Sequence, residues 1–394
     1  MKAVVYNKPY DLSLADVPEP QIEDPRDIIL KVTSTAICGS DLHIYHGLIP
    51  HMPKGTILGH EFMGIVQQTG RDVKKWQEGD RVIIPFPIAC GQCRMCKAGL
   101  WSHCHATNNR NKTAAIFGHG EAFGGIPGGQ AEYARVPFGD VSPIAAPENL
   151  EDEQVLFLTD ILPTAYWAVD VCGVKPGDKV AVFGCGPVGL LAQRCAKFKG
   201  ARRVIAVDQV PYRLEFANKI NPGVETINLQ KIKKPGEEIQ NMTDGEGVDV
   251  VIDAVGLEGE PTSKLIAPLA FAAQHGIPAP PGLRPKDQPP IPSVSVIKMA
   301  LEAVRHGGTV GLVGAYGAKI NGFPIGDIFG KGLTIKAGQA LVQNYTEELL
   351  GYIQDGSLRA NDIITHHLPL EHALEGYSKF SRREDNCVKV VLHP

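Results

Sequence analysis

The sequence predicts an α/β protein with two domains, one rich in β-strands and one built on a doubly wound parallel sheet. Residues 1–85 contain short apolar runs separated by Pro, Gly and Asp, which is typical of strands joined by turns. Residues 179–208 place two apolar runs on either side of a segment of helical length, the order of a β-α-β unit. A length of 394 residues is sufficient for two domains of ordinary size.

Further strands are predicted along the chain in the same way. In the first region they fall at 2–6, 28–32 and 81–84. Apolar runs at 248–253 and 309–314 predict later strands of the parallel sheet. The last part of the chain has an amphipathic helical pattern within 341–356 and strand patterns at 363–370 and 388–392.

Composition excludes several classes of function. A net charge of −4 argues against a surface built for nucleic acid or an anionic membrane. The sequence lacks an apolar run near the roughly 18 residues that cross a bilayer, and the start of the chain lacks the apolar core of a secretory signal. Nine cysteines is an odd number, and four of them fall within 15 residues. This pattern favours metal ligands in a reducing compartment, and we predict a cytoplasmic protein.

The glycine turn within 179–208 predicts a dinucleotide site. Gly184 allows the chain to turn, Gly186 allows the backbone to approach a pyrophosphate, and Gly189 allows helix and strand to pack closely. Pro187 suits the first helical turn, where a missing N–H costs nothing, and Val188 completes the GCGPVG turn. The helix N-terminus offers N–H groups and a partial positive charge to the phosphates. An ordinary β-α-β crossover with a glycine turn is the alternative.

Asp208, 19 residues after Gly189, lies where an acid binds the ribose 2′-hydroxyl of the cofactor. Gln209 follows it, so a 2′-phosphate would meet an acid without a neighbouring base. We therefore predict NAD in preference to NADP. Arg213 could reach the adenosine side and keeps NADP open as an alternative.

Two short motifs in the first region, CGSDLH at 38–43 and GHE at 59–61, offer a thiolate and an imidazole from separate segments. Such groups suit a catalytic zinc, which takes three protein ligands and keeps one position open. A buried cysteine and a core histidine are the alternative interpretation.

Together with GCGPVG at 184–189, these motifs occur in an order and at separations that resemble the zinc-dependent medium-chain dehydrogenase/reductase family. The resemblance covers nearly the whole chain. It implies a GroES-like β-rich catalytic domain, residues 1–161 and 340–394, with a structural-zinc lobe at about 88–106. It also implies a Rossmann NAD-binding domain, residues 162–339, with an insertion at about 257–297.

By this resemblance Cys38 and His60 bind the catalytic zinc, and Asp41 holds the His60 ring in its ligating tautomer. Ser40 and His43 match the hydroxyl and the imidazole that carry the substrate proton to solvent.

The same resemblance assigns further residues around the substrate and the cofactor. Glu61 matches the acid beside the metal, which is a structural neighbour or a transient ligand. Thr164, Val255 and Val313 are placed near the nicotinamide. Phe86 matches a position whose ring lines the substrate pocket, with a plain core phenylalanine as the alternative.

Asp160, in the segment TDILPTAY, stands in the register of the third zinc ligand. An aspartate in this setting resembles the glutathione-independent formaldehyde dehydrogenase and formaldehyde dismutase branch of the family. A carboxylate leaves the zinc less electron-rich than a second thiolate would. The zinc is then a somewhat stronger Lewis acid. The alternative is a helix N-cap.

A second zinc is predicted from cysteine spacing. Four thiolates so close together would repel one another or oxidise unless a soft cation neutralised them, and a closed tetrahedral zinc does this. An iron–sulfur cluster competes, but the bacterial ferredoxin run has three residues before its last cysteine, and here there are seven. We expect this site to stabilise the structure rather than to react. Its four ligands are Cys90, Cys93, Cys96 and Cys104.

Three other features are less specific. The glycine-rich stretch 105–130 predicts a long irregular loop, whose His119 and Glu121 we expect to face water rather than to serve as ligands. Seven prolines within 278–292 predict an extended loop, either a flexible or oligomer-contacting excursion or a cover over bound NAD. Lys389 is expected to be a solvated strand lysine, with approach to the cofactor phosphates as the alternative.

The predicted function is a zinc- and NAD-dependent oxidoreductase acting on a small alcohol or an aldehyde hydrate, with the formaldehyde-converting kind among the activities that the resemblance implies. The alternatives are another zinc-dependent polyol or alcohol dehydrogenase and a non-catalytic NAD-binding member of the family. The resemblance also implies a homo-oligomer, either a tetramer or a dimer.

Overall fold

The chain divides into two compact units: Met1–Pro163 with Leu341–Pro394, and Thr164–Ala340. The structure is a computed structural model that describes residues 1–49, 52–108, 113–256, 295–316 and 323–394. Nearly all of the predicted proline-rich insertion lies outside the described residues.

The first part of the chain is made of strands with short helices between them. Its strands are β1 (Lys2–Lys8), β2 (Asp11–Asp16), β3 (Ile28–Ile37), β4 (Glu61–Thr69), β5 (Arg81–Ile84), β6 (Pro87–Ile88), β7 (Ala115–Ile116), β8 (Tyr133–Val136) and β9 (Ile144–Ala145). Its helices are α1 (Gly39–Tyr45), α2 (Arg94–Lys97) and α3 (Asp152–Val155), with 3₁₀ turns at Trp101–His103, Glu121–Phe123 and Leu156–Thr159. Helix α4 (Ile161–Val171) follows.

The middle of the chain alternates strands and helices. Its strands are β10 (Lys179–Phe183), β11 (Arg203–Asp208), β12 (Glu225–Asn228), β13 (Val248–Asp253), β14 (Val304–Leu312) and β15 (Thr334–Ala337). Its helices are α5 (Pro187–Phe198), α6 (Pro211–Ile220), α7 (Pro235–Met242), α8 (Ser295–Ala303) and α9 (Ile325–Lys331).

The end of the chain returns to the first unit. It contains α10 (Thr346–Gln354), β16 (His366–Pro369), α11 (Ala373–Arg382) and β17 (Val390–His393), with 3₁₀ turns at Val342–Asn344, Asn361–Ile363 and Leu370–His372. Strand β17 pairs antiparallel with β3, which places Val390 opposite Ile37. The last strand therefore lies beside the residues that precede Cys38.

Strand β3 organises the first unit. Among the described residues, the larger sheet has the order β16-β17-β3-β4-β5-β9, and β8 also pairs with β3. Eight of the ten β3 residues are buried, because the strand has a packed neighbour on both edges and on both faces. Its apolar side chains pack into a core with Phe62, Val82 and Phe117.

The second unit contains a parallel sheet whose described strands have the order β12-β11-β10-β13-β14-β15. This is the 3-2-1-4-5-6 order of a doubly wound nucleotide-binding fold, as predicted. Apolar side chains such as Val180, Ile205 and Val251 are fully buried, because helices cover both faces of the sheet. The change of direction at β10 and β13 opens a crevice at the carboxyl ends of these strands.

The predicted fold class, a β-rich domain with a doubly wound parallel-sheet domain, is confirmed by this architecture. Among the described residues, every helix is too short or too polar to span a lipid bilayer.

Candidate functional site

Cys38 lies where β3 ends and α1 begins. Its backbone adopts the extended conformation of an N-cap, and its N–H donates to Asp41 Oδ2 at 2.9 Å. The thiol is buried, with 8% of the residue exposed. The CGSD sequence thus fixes the cysteine by bonding its own backbone to the aspartate three residues later.

His60 directly precedes β4 and is 2% exposed. Its Nδ1 lies 3.2 Å from Asp41 Oδ1, which leaves Nε2 as the free ligating nitrogen of the ring. That Nε2 lies 3.2 Å from Asp160 Oδ2 and 3.3 Å from Ser40 Oγ. Asp41, fully buried, therefore orients both the Cys38 backbone and the His60 ring.

Asp160 follows the 3₁₀ turn Leu156–Thr159 and precedes α4. Its Oδ2 lies 3.6 Å from Cys38 Sγ as well as 3.2 Å from His60 Nε2. Together with Glu61, these residues each place one ligand atom within 4.8 Å of the others. The Asp160 side chain is thus directed into this cluster, at the position where the sequence predicts a third ligand.

The donors fit a zinc ion. Burial raises the pKa of the Cys38 thiol to about 11, and the carboxylates of Glu61 and Asp160 add to this rise. A divalent cation among these groups would offset their mutual repulsion and stabilise the thiolate. One sulfur, one imidazole nitrogen and one carboxylate oxygen form a donor set that catalytic zinc accepts.

Ser40 and His43, the predicted proton carriers, both lie on α1. Ser40 is half-buried, and its hydroxyl reaches the His60 nitrogen that faces Asp160. His43 lies one turn further along the helix and is 8% exposed. The structure thus places Ser40 in contact with the cluster, and His43 follows Ser40 on the same helix.

Glu61 is paired with Lys389, which corrects both expectations for that lysine. Lys389 is fully buried, and its Nζ donates to both Glu61 oxygens, at 2.8 and 2.7 Å, and to the Ile37 carbonyl at 3.0 Å. All three ammonium donors therefore have acceptors. The lysine faces the core because β17 packs against β3, a pairing that the local pattern of residues 388–392 does not reveal.

Two further buried residues hold Asp41, and sequence reasoning missed both. Gln130 Nε2 donates to Asp41 Oδ2 at 3.2 Å, and the hydroxyl of Tyr377 donates to Gln130 Oε1 at 2.8 Å. Both residues are almost fully buried. The only local signal is a polar residue in a glycine-rich loop and a tyrosine in an amphipathic helix, which points to no partner.

His119 also departs from expectation, because it is buried rather than facing water. Its ring packs edge-on against His60, with ring centroids 4.8 Å apart, and its Nδ1 bonds the Phe117 carbonyl at 3.0 Å. Burial, with the nearby His60, lowers the pKa of His119 to about 4. Phe86, predicted to line the substrate pocket, packs edge-on against His60, with ring centroids 5.9 Å apart. Glu121 is half-buried.

The cysteine lobe forms a second cluster. Its sulfurs lie 3.5 Å apart for Cys93 and Cys96, 3.8 Å for Cys93 and Cys104, and 4.0 Å for Cys90 and Cys96. Four Zn–S bonds of about 2.3 Å in a tetrahedron require sulfurs about 3.8 Å apart. This spacing suits one zinc and is too small for a multi-iron cluster.

Backbone N–H groups surround these sulfurs. Those of Cys93 and Gln92 point to Cys90 Sγ, that of Cys96 points to Cys93 Sγ, and that of Cys90 points to Cys104 Sγ. Burial opposes ionisation of Cys93, but the N–H groups of Cys96 and Met95 and the thiols of Cys96 and Cys104 prevail and lower its pKa to about 6. Burial raises the pKa of Cys96 and of Cys104, so a cation would be needed to hold all four sulfurs as thiolates.

The glycine turn of the second unit has the geometry of a phosphate cradle. Gly184 has a φ of +97°, and a Cβ on Gly189 would lie 2.0 Å from the Gly184 carbonyl oxygen. At Gly186, in contrast, a Cβ would meet no atom closer than Arg213 Nη1 at 3.9 Å. Space for a phosphate therefore remains beside Gly186, at the N-terminus of α5. Pro187 is the first residue of this helix, and Val188 is half-buried.

Asp208 ends β11 beside this turn. Its Oδ2 accepts from the Cys185 N–H at 2.6 Å and its Oδ1 accepts from the Val210 N–H at 2.8 Å. The carboxylate is thus fixed at the edge of the turn, 7% exposed. Arg213, on α6, extends to Gly186, so the predicted adenosine-side residues lie together.

The residues predicted near the nicotinamide occupy other parts of the same unit. Val255 and Val313 follow β13 and β14, at the carboxyl end of the sheet, and Val313 N–H donates to the Asp253 carbonyl at 3.0 Å. Thr164 lies in α4. Asp253, which sequence reasoning missed, is fully buried, accepts the Val255 N–H at 2.9 Å, and has its pKa raised by burial.

Two family models match the chain, and it is similar to several known proteins along its length. Residues 24–146 match the family model described as alcohol dehydrogenase GroES-like domain, and residues 187–270 match zinc-binding dehydrogenase. The chain is 45% identical over 396 residues to an uncharacterized zinc-type alcohol dehydrogenase-like protein of Bacillus subtilis, covering 100% of both chains. It is 33% identical to formaldehyde dismutase of Pseudomonas putida, covering 100% of this chain and 97% of the relative.

A solved structure, alcohol dehydrogenase TADH from Thermus sp. ATN1, superposes with a TM-score of 0.84 at 35% identity. The superposition covers 100% of this chain and 99% of that one.

Proposed function

The chain belongs to the zinc-type alcohol dehydrogenases, and we propose that it oxidises a small alcohol or an aldehyde hydrate with NAD at a zinc held by Cys38, His60 and Asp160. Zinc and a nicotinamide dinucleotide are the cofactors of this family, as the sequence predicts. The main support for the proposal is that a thiol, an imidazole and a carboxylate from three separate segments lie close together and are buried.

Charge balance supports this ligand set. A bound zinc would act as a Lewis acid toward the substrate oxygen, and NAD would accept hydride from the carbon that bears it. The thiolate of Cys38 and the carboxylate of Asp160 together match the two positive charges of the ion. Glu61 is neutralised separately by Lys389, so its charge does not add to that of the ligands.

The surrounding residues orient the ligands and provide a route for the proton. Asp41 accepts from His60 Nδ1 and is itself held by Gln130, which fixes the ring with Nε2 toward the ligand cluster. The hydroxyl of Ser40 lies 3.3 Å from His60 Nε2, within reach of a substrate hydroxyl beside the ligands, and can pass on its proton. We assign onward transfer to His43, on the same helix.

Formaldehyde, as its hydrate, is the substrate class that we propose first. The support is Asp160 within the TDILPTAY segment, together with the full-length similarity to formaldehyde dismutase. Phe86 and His119 pack against the His60 ring and would limit the space beside the zinc to small substrates.

The test is a substrate panel on zinc-replete enzyme with NAD. Formaldehyde should reduce NAD faster than ethanol or a polyol does, and it should also disproportionate to formate and methanol if NAD stays bound. Asp160→Asn should lower kcat/KM by more than the roughly 10- to 100-fold that loss of an outer partner costs. Asp178→Asn, an equally buried carboxylate in the second unit, is the matched control and should retain activity.

A zinc-dependent alcohol dehydrogenase without preference for formaldehyde is the second candidate, and the similarity to the Thermus enzyme favours it. The same panel separates the two. Faster reduction of NAD by ethanol or a longer alcohol than by formaldehyde would select this candidate and leave the zinc assignment intact.

The preference for NAD over NADP rests on Asp208. Its carboxylate is held by two backbone N–H groups at the edge of the glycine turn, so a 2′-phosphate there would meet a fixed negative charge. Asp208→Gly with Gln209→Arg should shift the ratio of the two kcat/KM values toward NADP by at least about tenfold, or 1.4 kcal/mol. A wild type that already prefers NADP would contradict the assignment.

We also propose a cytoplasmic location and a homo-oligomer. All nine cysteines lie among the described residues, and each is a free thiol, which suits a reducing compartment. On α9, Ile325 and Phe329 are 67% and 89% exposed, as expected for a face that a second subunit covers. Light scattering on the purified protein would give the number of subunits.

A further inference from the structure

A third group of metal-ligating side chains lies on the surface of the first unit. Glu153, His367 and His393 each place one ligand atom within 4.8 Å of the other two. Glu153 lies in α3, His367 in β16 and His393 at the end of β17. Strands β16 and β17 pair in parallel, so the two histidines come from adjacent strands.

The distances converge on one carboxylate oxygen. Glu153 Oε1 lies 2.7 Å from His367 Nδ1 and 3.3 Å from His393 Nε2. The side chains of the two histidines are 54% and 43% exposed, and that of Glu153 is 28% exposed. An ion can therefore reach the three groups directly from solvent.

The partners of His393 fit a ring that binds a metal through Nε2. The hydroxyl of Ser34 donates to Asp152 Oδ2 at 3.0 Å, and its oxygen lies 3.4 Å from His393 Nδ1. A ring with a metal on Nε2 would carry its proton on Nδ1 and could donate it to this oxygen. The Nε2 atom lies 3.3 Å from a Glu153 carboxylate oxygen, close enough for the two atoms to bind one metal ion.

We propose that Glu153, His367 and His393 form a binding site for a divalent transition metal, with zinc as the ion that the donors suit best. Two imidazoles and one carboxylate are a known donor set for zinc, and Ser34 supplies the outer hydrogen bond that such a histidine needs. Metal–ligand bonds of about 2.0–2.2 Å in a tetrahedron require donor atoms about 3.3–3.6 Å apart. The 3.3 Å between His393 Nε2 and Glu153 Oε1 already meets this requirement. The 2.7 Å between His367 Nδ1 and Glu153 Oε1 would have to increase by about 0.7 Å when the metal binds.

Binding at this site would link the last two strands to the segment that carries Asp160. Glu153 lies in α3, which is followed directly by the 3₁₀ turn Leu156–Thr159 and then by Asp160. Exposure of the site to solvent predicts weaker binding than in the two buried clusters, with water in the open positions. The site would thus respond to zinc in excess of that held by the other clusters.

The experiment is titration of zinc chloride into the full-length protein after gel filtration into chelator-treated buffer. We expect the wild type to bind one more equivalent of zinc than the double variant His367→Ala/His393→Ala. Zinc should also raise the midpoint of thermal unfolding in the wild type more than in that variant.

The matched control is His372→Ala. His372 is 58% exposed and paired with Glu375 at 3.2 Å, so it resembles the other histidines in exposure and in having a carboxylate partner, but it lies outside the cluster. This variant should bind as much zinc as the wild type. Equal zinc binding by the wild type and the double variant would overturn the proposal, whatever the activity of the enzyme.

Discussion

The two buried ligand clusters of the first unit differ in how the protein holds them. The cysteine lobe draws its four sulfurs from residues 90–104, and backbone N–H groups of the same segment surround them. The Cys38–His60–Asp160 cluster draws on residues spread over 38–160, and side chains such as Asp41, Gln130 and Lys389 hold or neutralise its members. One cluster depends on a local loop, whereas the other depends on the whole β-rich unit.

This difference predicts what the removal of metal does to each cluster. Without an ion, the four sulfurs are held only by a small cluster that the cysteines themselves form with neighbours such as Ala89, Ala114 and Trp101. We therefore expect the metal to determine whether residues 88–106 fold. The other cluster is built on β3 and β4 and on the helix and turn beside them, so it should keep its shape without metal. We therefore expect changes in the lobe to reduce stability most, and changes around His60 to reduce metal affinity and turnover.

The largest effect is expected from Cys96→Ser, which leaves three thiolates around the lobe metal. Structural zinc sites contribute about 10–16 kcal/mol of binding free energy that is also folding free energy. The variant should lose one equivalent of zinc and be cleaved by protease within residues 88–106. Metal analysis and limited proteolysis measure this.

Cys172→Ser removes a buried thiol outside both clusters and is the control for Cys96→Ser. It should keep its zinc and its protease resistance. If Cys96→Ser retained full zinc content and resisted protease, the lobe would not depend on metal and the contrast between the clusters would fail.

A smaller effect is expected from Lys389→Met, which leaves the Glu61 carboxylate buried without its partner. Breaking a buried ion pair in this way costs about 3–5 kcal/mol, because the remaining charge is uncompensated. Urea unfolding should show this loss of stability, and the double variant Glu61→Gln/Lys389→Met should regain most of it.

Lys2→Met is the control for the buried pair, because Lys2 and Glu371 form an ion pair at 2.7 Å with nearly half of each side chain exposed. Exposed pairs contribute little to stability, because water and salt screen the two charges. A loss in Lys389→Met no larger than that in Lys2→Met would show that the Glu61–Lys389 pair does not stabilise the unit.

The same contrast explains which parts of the molecule could be predicted from the sequence. The cysteine spacing and the strand–turn–helix at 179–208 depend on residues close together in the chain, so their geometry follows from local rules. The pair of Glu61 and Lys389 joins residues 328 positions apart, and the bond of Tyr377 to Gln130 spans 247. Such partners follow only from strand pairing and helix packing, which a single sequence does not specify.

His119 shows the same limit within a loop. Glycine-rich loops usually run over the surface, and this expectation placed His119 in water. The loop instead folds back so that the ring lies against His60, because Gly128 and Gly129 pass so close to β4 and its neighbours that a Cβ on Gly129 would lie 2.2 Å from Phe62. The glycines do form an irregular loop, but they serve close packing rather than exposure.

The smallest effect is expected from Asp41→Asn, and it tests whether the cluster at His60 depends on side chains outside it. The asparagine oxygen can still accept from His60 Nδ1, but the negative charge that strengthens the imidazole as a ligand is lost. The amide NH2 group also replaces the oxygen that accepts from the Cys38 N–H and from Gln130 Nε2, so the Cys38 backbone loses one anchor. Loss of such an outer partner lowers metal affinity by about 10- to 100-fold. Competition with a chelator should therefore release one zinc equivalent more readily from the variant and leave the lobe equivalent unchanged. Asp253→Asn, which alters an equally buried carboxylate in the second unit, should leave both equivalents as in the wild type. If Asp41→Asn weakened both equivalents alike, the change would have acted through the stability of the unit. The conclusion that the two clusters bind their metals independently would then be wrong.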